Sequence, residues 1–149
     1  MTIGMDFNLT EEQQMLRDGA RRFFREHYAF GQRRALLASD AGLDPACWAR
    51  YAELGWLALG QPEAPGGWAC PFVETAILLE EFGRALALEP FVSNVVLCGR
   101  VLGCCGSTAP GSAVLQEMMV GRTRLALAHE EPGGRYDADC PAVLATRSG

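Results

Sequence analysis

Thr10-Glu11-Glu12-Gln13-Gln14-Met15-Leu16-Arg17-Asp18-Gly19-Ala20-Arg21-Arg22-Phe23-Phe24-Arg25-Glu26-His27-Tyr28 sets the fold class of this 149-residue chain. A threonine followed three residues later by glutamine is a capping box, because each partner can satisfy a backbone N–H that the first helical turn leaves open. Behind it Leu16, Ala20, Phe23, Phe24 and His27 recur at spacings of three and four, so they share one face of a helix running to about Tyr28. Arg17, Arg21, Arg22 and Arg25 take much of the other side and read as a solvated face. His27, on the apolar stripe, reads as a packed histidine rather than a base.

Outward from that helix the signals stay helical. A second amphipathic piece covers about residues 32–39. Asp44 before Pro45 supplies an N-cap and a first-turn proline, so a short helix should carry Trp48, Tyr51 and Leu54 and stop at Gly55. Pro62-Glu63-Ala64-Pro65-Gly66-Gly67 concentrates prolines and glycines that no helix tolerates, and reads as a loop. Pro71 restarts a helix with Val73, Ile77, Glu80, Glu81 and Leu86, and Pro90 opens another with Val92, Val95, Val96 and Leu102. Ser112 caps a last helix through Leu115, Met118 and Met119 that ends at Gly121. Glu80 and Glu81 are adjacent, hence about 100° apart on a helix, and read as solvated carboxylates rather than a facing catalytic pair.

Past Gly121 the period changes. Leu125-Ala126-Leu127-Ala128-His129 and Ala142-Val143-Leu144-Ala145-Thr146 are apolar runs of strand length, separated by the turn-rich Glu131-Pro132-Gly133-Gly134-Arg135-Tyr136-Asp137. A lone two-stranded ribbon is marginal in water. The last residues read as a strand cut off before its hairpin turn, so the expectation is a fragment or a chain that needs a partner sheet. The expected fold class is mainly α: a helical domain over residues 1–121, then the first strands of an incomplete β-domain over residues 122–149.

Composition bounds the function. With 49% hydrophobic and 21% charged residues the chain can fill one core, and its length allows no second. A net charge of −5 argues against binding nucleic acid, which needs surplus cations on one face. All 13 basic residues are arginine. The longest nearly apolar stretch, residues 91–102, is interrupted by Ser93, Asn94 and Arg100 and falls short of the roughly 20 residues of a membrane span. The first residues lack a basic region followed by an apolar one, so no secretory signal and a cytoplasmic location are expected. The six cysteines, Cys47, Cys70, Cys98, Cys104, Cys105 and Cys140, form no C-x-x-C pair and have no histidine at ligand spacing; they read as reduced structural thiols, with no metal site. No G-x-G-x-x-G, P-loop, G-x-S-x-G or H-E-x-x-H is present, which removes the common dinucleotide, phosphate, serine-hydrolase and zinc-protease readings.

The order of motifs says more than any of them singly. From Leu9-Thr10-Glu11-Glu12 onward, Trp48, then Leu54-Gly55-Trp56, Pro62-Glu63-Ala64-Pro65-Gly66-Gly67, Glu80-Glu81-Phe82-Gly83-Arg84, and the run from Leu125 to Asp137 with Glu131-Pro132-Gly133 resemble the N-terminal part of the acyl-CoA dehydrogenase family. Glu131-Pro132 with Arg135-Tyr136-Asp137 resembles the branch of the pimeloyl-CoA dehydrogenase small subunit, in which unlike subunits share active sites. The resemblance implies an N-terminal helical domain, a middle β-domain and a C-terminal bundle with FAD between them. It also implies a glutamate base on that bundle that takes the α-proton of an acyl-CoA thioester while the β-hydrogen leaves as hydride to the flavin.

By the same resemblance, Leu127, His129 and Glu130 lie on the strand under the flavin, with Glu130 where the family most often has threonine. Tyr136 falls where the family usually has a serine near the pyrophosphate and substrate, and Arg135 replaces a glycine. Ser93, Asn94 and Leu97 match the helix beside which the acyl chain lies, and Leu97 is equally readable as helix packing. No residue of this chain matches the family's base, so the chain is expected to be inactive alone. The expectation is the N-terminal portion of an FAD-dependent enzyme of fatty acid metabolism that binds acyl-CoA and assembles as a homo- or hetero-oligomer. The alternative is a non-catalytic helical subunit docking on a full-length homologue.

Overall fold

A computed structural model describes residues 8–105, 109–131, 143, 144 and 146. Helix α1 (Glu11–His27) starts at the capping box read from sequence: the Gln13 N–H donates to Thr10 Oγ1 at 3.2 Å, and the Thr10 N–H donates to Gln13 Oε1 at 3.0 Å. Its buried stripe is Ala20, Phe23 and Phe24, continued by Tyr28. Helix α2 (Phe30–Leu37) is short and buries none of its side chains. Helix α3 (Pro45–Glu53) is capped by Asp44, whose Oδ1 accepts the Ala46 N–H at 2.8 Å. Asp44→Ala should lower stability by about 1 kcal/mol, read as an earlier urea midpoint with unchanged slope.

A tight 3₁₀ turn (Trp56–Ala58) follows Gly55, whose φ of 74° suits glycine alone; a Cβ there would stand 2.5 Å from the Trp68 ring. The proline- and glycine-rich loop closes on itself, with the Gly60 N–H donating to the Trp68 carbonyl and the Trp68 N–H to the Ala58 carbonyl, both at 2.9 Å. Helix α4 (Phe72–Ala85) lies along α1. Wide π turns (Val92–Gly99) run without interruption into α5 (Arg100–Cys104), and α6 (Ala109–Met119) closes the order at Gly121, φ 76°.

The core is an aromatic cluster centred on Tyr51. Its ring lies 5.6 Å from Phe23, 5.0 Å from Phe82 and 5.3 Å from Trp56, the last stacked at 22°. A smaller cluster of Ala58, Leu115, Met118 and Met119 seats α6.

Several expectations change. Glu81 is 2% exposed rather than solvated, held by Arg21 at 2.7 Å from α1 and by Arg84 at 3.5 Å from its own helix. Arg21, assigned to a solvated face, is therefore half an ion pair that fastens α1 to α4. The i, i+1 argument correctly parted Glu80 from Glu81 but said nothing about which of the two turned inward. His27 is exposed, its ring resting 5.0 Å from that of Phe23. The helix expected from Pro90 is present but wound in π turns. The run at residues 125–129 forms no strand, because a strand needs a partner and none is among the described residues. Of the second run only residues 143, 144 and 146 are described, and Arg135, Tyr136 and Cys140 lie outside the described residues.

Candidate functional site

The described site residues drawn from the motif order fall on two stretches, the π turns and the segment after α6, which are joined by a bond between Asn94 and Leu125. Pro90 and Phe91 open the turns: the Asn94 N–H donates to the Pro90 carbonyl at 2.9 Å, and the Ser93 hydroxyl to the same oxygen at 3.3 Å. Phe91, Val95 and Cys98 point into the core, while Val92, Leu97 and Val101 stand exposed and Ser93 is half-buried between them. Ser93 and Leu97 thus keep part of their side chains open to solvent. Asn94 does not: it is fully buried, and its Oδ1 accepts the Leu125 N–H.

That bond ties the segment after α6 to the helix at Leu125. Leu127, His129 and Glu130 follow on the exposed part of the segment. His129 Nδ1 lies 3.2 Å from the Leu127 carbonyl, and His129 Nε2 lies 3.8 Å from Glu130 Oε1, an ion pair only when the imidazole is protonated. Tyr136 cannot be placed, since it lies outside the described residues.

Sequence reading missed Gln61. It is 2% exposed in the loop before α4, and its Nε2 donates to the Val95 carbonyl at 3.0 Å, inside the π turns. A glutamine next to Pro62 carries no periodic signal; the one clue was Gly99, a glycine within an apolar helical run, which marks close approach of another group. Glu89 was also missed. It is 5% exposed, accepts from the Tyr51 hydroxyl at 3.2 Å and from the Asp44 N–H at 3.1 Å, and sits one residue before Pro90.

The chemistry available is that of a binding wall. Burial pushes the Cys98 and Cys70 thiols up, against a smaller downward pull on Cys70 from the Gly60 backbone, so neither is a thiolate near neutrality. Among the described residues no three His, Cys, Asp or Glu side chains could hold a metal, and no helix is long and apolar enough to cross a membrane. A groove of about 590 Å³ between α1 and α3, walled by Leu16, Phe23, Leu54 and Trp56, is lined by none of the site residues.

FAD presents ring oxygens and nitrogens that take hydrogen bonds from backbone N–H groups. The exposed stretch after Leu125, outside any helix or strand, fits that need. The Glu130 carboxylate, an acceptor only when ionised, does not.

The family model described as acyl-CoA dehydrogenase, N-terminal domain, matches residues 10–122. Among curated proteins, acyl-CoA dehydrogenase IpdE2 of Mycobacterium tuberculosis is 32% identical over 74% of this chain and 34% of its own length. Benzylmalonyl-CoA dehydrogenase of Aromatoleum aromaticum is 29% identical over 96% of this chain and 38% of its own. The chain therefore spans about a third of the length of the curated relatives it matches.

Among solved structures, a variant of the Tcur3481-Tcur3483 steroid ACAD superposes with a TM-score of 0.75 at 31% identity, over 88% of this chain and 36% of that one. The ChsE4-ChsE5 complex of Mycobacterium tuberculosis gives 0.69 at 26% identity, over 87% and 33%. The helical arrangement is that of the family's N-terminal domain, and by the match over residues 10–122 the chain belongs to the acyl-CoA dehydrogenase family.

Proposed function

We propose that this chain supplies the helical wall of an FAD-dependent active site that oxidises the α,β C–C bond of an acyl-CoA thioester. In this reading residues 1–121 are the helical domain and residues 122–149 begin the flavin-facing β-domain. The observation that carries it is the bond from the Leu125 N–H to Asn94, which ties the start of the exposed segment at residues 126–130 to the helix bearing Ser93 and Leu97.

Ser93 offers a hydroxyl to a polar part of the acyl group, and Leu97 an apolar flank to its chain. Backbone N–H groups around Leu127 and His129 would hold the flavin, which when bound supplies the oxidant for the β-hydrogen. The described residues offer no base for the α-proton, which this reading assigns to other parts of the family fold, on the same polypeptide or on a partner subunit. The names of two relatives, a steroid ACAD and benzylmalonyl-CoA dehydrogenase, support a ring-bearing acyl group, and that of the ChsE4-ChsE5 complex supports assembly with a second family subunit.

The test has two arms. Purified alone with excess FAD, the 149-residue chain should stay colourless and leave an electron-accepting dye oxidised when acyl-CoA is added. Co-expressed with a full-length family homologue, it should co-purify as a yellow complex that reduces the dye, faster with a ring-bearing acyl-CoA than with a straight-chain one. Stoichiometric flavin on the isolated chain would overturn the first expectation. A complex that forms but gains no activity over the homologue alone would replace the enzymatic reading with that of a docking subunit.

A further inference from the structure

The helix that carries Ser93 and Leu97 is out of α register. Its π turns, Val92–Gly99, are a rare winding that occurs mostly as single turns and frequently at functional sites. A run of eight residues therefore needs something to hold it. Two buried carboxamides do so from opposite sides. From the loop, Gln61 Nε2 donates to the Val95 carbonyl, and the room for that amide exists because residue 99 is glycine: a Cβ there would stand 2.7 Å from both Nε2 and Oε1 of Gln61. From within the turns, Asn94 Oδ1 takes the Leu125 N–H.

Each carboxamide uses only part of its bonding capacity. Gln61 Oε1 and Asn94 Nδ2 are buried with no hydrogen-bond partner among the described residues. An orphaned buried polar atom costs about 1–3 kcal/mol, so an apolar side chain of similar size would make the tighter core. The bond from Gln61 ties the loop before α4 to the helix, and the bond to Asn94 ties the helix to the segment after α6.

We infer that Gln61 and Asn94 are positioning residues. Gln61 holds Val92–Gly99 in its wide register, and Asn94 keys that register to residues 123–131, so that Ser93 and Leu97 keep a fixed station relative to Leu127 and His129. Slipping by one residue into α winding would turn the face downstream by about 100° and carry Leu97 away from that station. The inference rests on the acyl-CoA reading only for what the two walls face. The register and its key are properties of this chain.

The experiment uses the 149-residue chain without cofactor or thioester, so its failure and that of the proposed function are separable. Backbone chemical shifts and amide exchange are measured by NMR for the parent, Gln61→Met, Asn94→Leu and Asn94→Asp, with Phe24 and Leu78 as core references. Gln61→Met should move the carbonyl and Cα shifts of residues 95–99 toward an ordinary α pattern while the reference amides exchange as in the parent. Asn94→Leu should speed exchange at Leu125 by about tenfold, the worth of a typical hydrogen bond, beyond any change in the core. Asn94→Asp, which keeps the acceptor oxygen, should restore most of that protection, and it decides the matter alone if Asn94→Leu does not fold. Unchanged shifts at residues 95–99 in Gln61→Met would overturn the inference. So would a Leu125 amide that follows the core amides in Asn94→Leu, or one that loses protection in Asn94→Asp.

Discussion

Tyr51→Ala is expected to cost about 4 kcal/mol, the scale of truncating a buried aromatic residue and a large share of the roughly 5–15 kcal/mol that holds a domain folded. Tyr51 has no exposure, and its ring touches those of Phe23, Phe24, Trp48, Trp56 and Phe82, so its loss opens a cavity that five rigid neighbours cannot collapse to fill. The truncation also strips Glu89 of a hydroxyl donor. Tyr51→Phe isolates that second part, keeping the ring while removing the 3.2 Å bond, and should cost about 1–2 kcal/mol. Urea denaturation of both variants gives the ranking. Equal costs would mean that the hydrogen bond, and not the packing, makes Tyr51 the centre of the core.

Alkaline pH should unfold the chain. Burial is the main cause that pushes the Tyr28 phenol from 10.0 up to about 12 and the Cys47 thiol from 9.0 up to about 12, and it raises Tyr51 as well. Nearby carboxylates add to the rise, Glu89 beside Tyr28 and Asp44 beside Cys47. Between the ordinary and the raised values the unfolded chain has released protons that the folded chain retains, so stability falls as pH climbs. The loss begins near pH 9, where Cys47 would titrate if exposed, steepens past 10 with the tyrosines, and is complete only above about 12. Each pH unit of raised value is worth about 1.4 kcal/mol, so the loss grows steadily as the pH climbs through this range. Near-UV circular dichroism followed from neutral to pH 12 should show cooperative loss of the aromatic signal, and Cys47→Ala and Tyr28→Phe should each move the midpoint upward. An aromatic signal that persists unchanged at pH 12 would show that these groups ionise without leaving the core.

The helices were legible in the sequence because their signals are local. Thr10 with Gln13 and Asp44 with Pro45 each announce a helix within four residues, and the apolar stripe of α1 follows from spacing alone. The ion pair of Arg21 with Glu81 was not legible, for it joins residues 60 apart, and nothing in either helix distinguishes the one carboxylate that turns inward. The same limit hid Gln61, whose partner is a backbone carbonyl 34 residues away. Motif order singled out Ser93, Leu97, Leu127 and His129 on two stretches, which the fold joins through the bond between Asn94 and Leu125. It could not reveal that Asn94, between two exposed apolar positions, faces inward, because π turns break the 3.6-residue period on which such facing is judged.

The clasp of Glu81 between Arg21 and Arg84 plays no part in starting the alkaline transition. In most proteins the surface ammonium groups discharge near pH 10.4, in the same range as buried phenols, so ion pairs and core loosen together. This chain has no lysine, and a guanidinium keeps its charge past pH 12. The fastening between α1 and α4 therefore remains charged while Tyr28 and Cys47 give up their protons. Groups in the core set where the transition falls, and the ion pair neither triggers it nor weakens ahead of it.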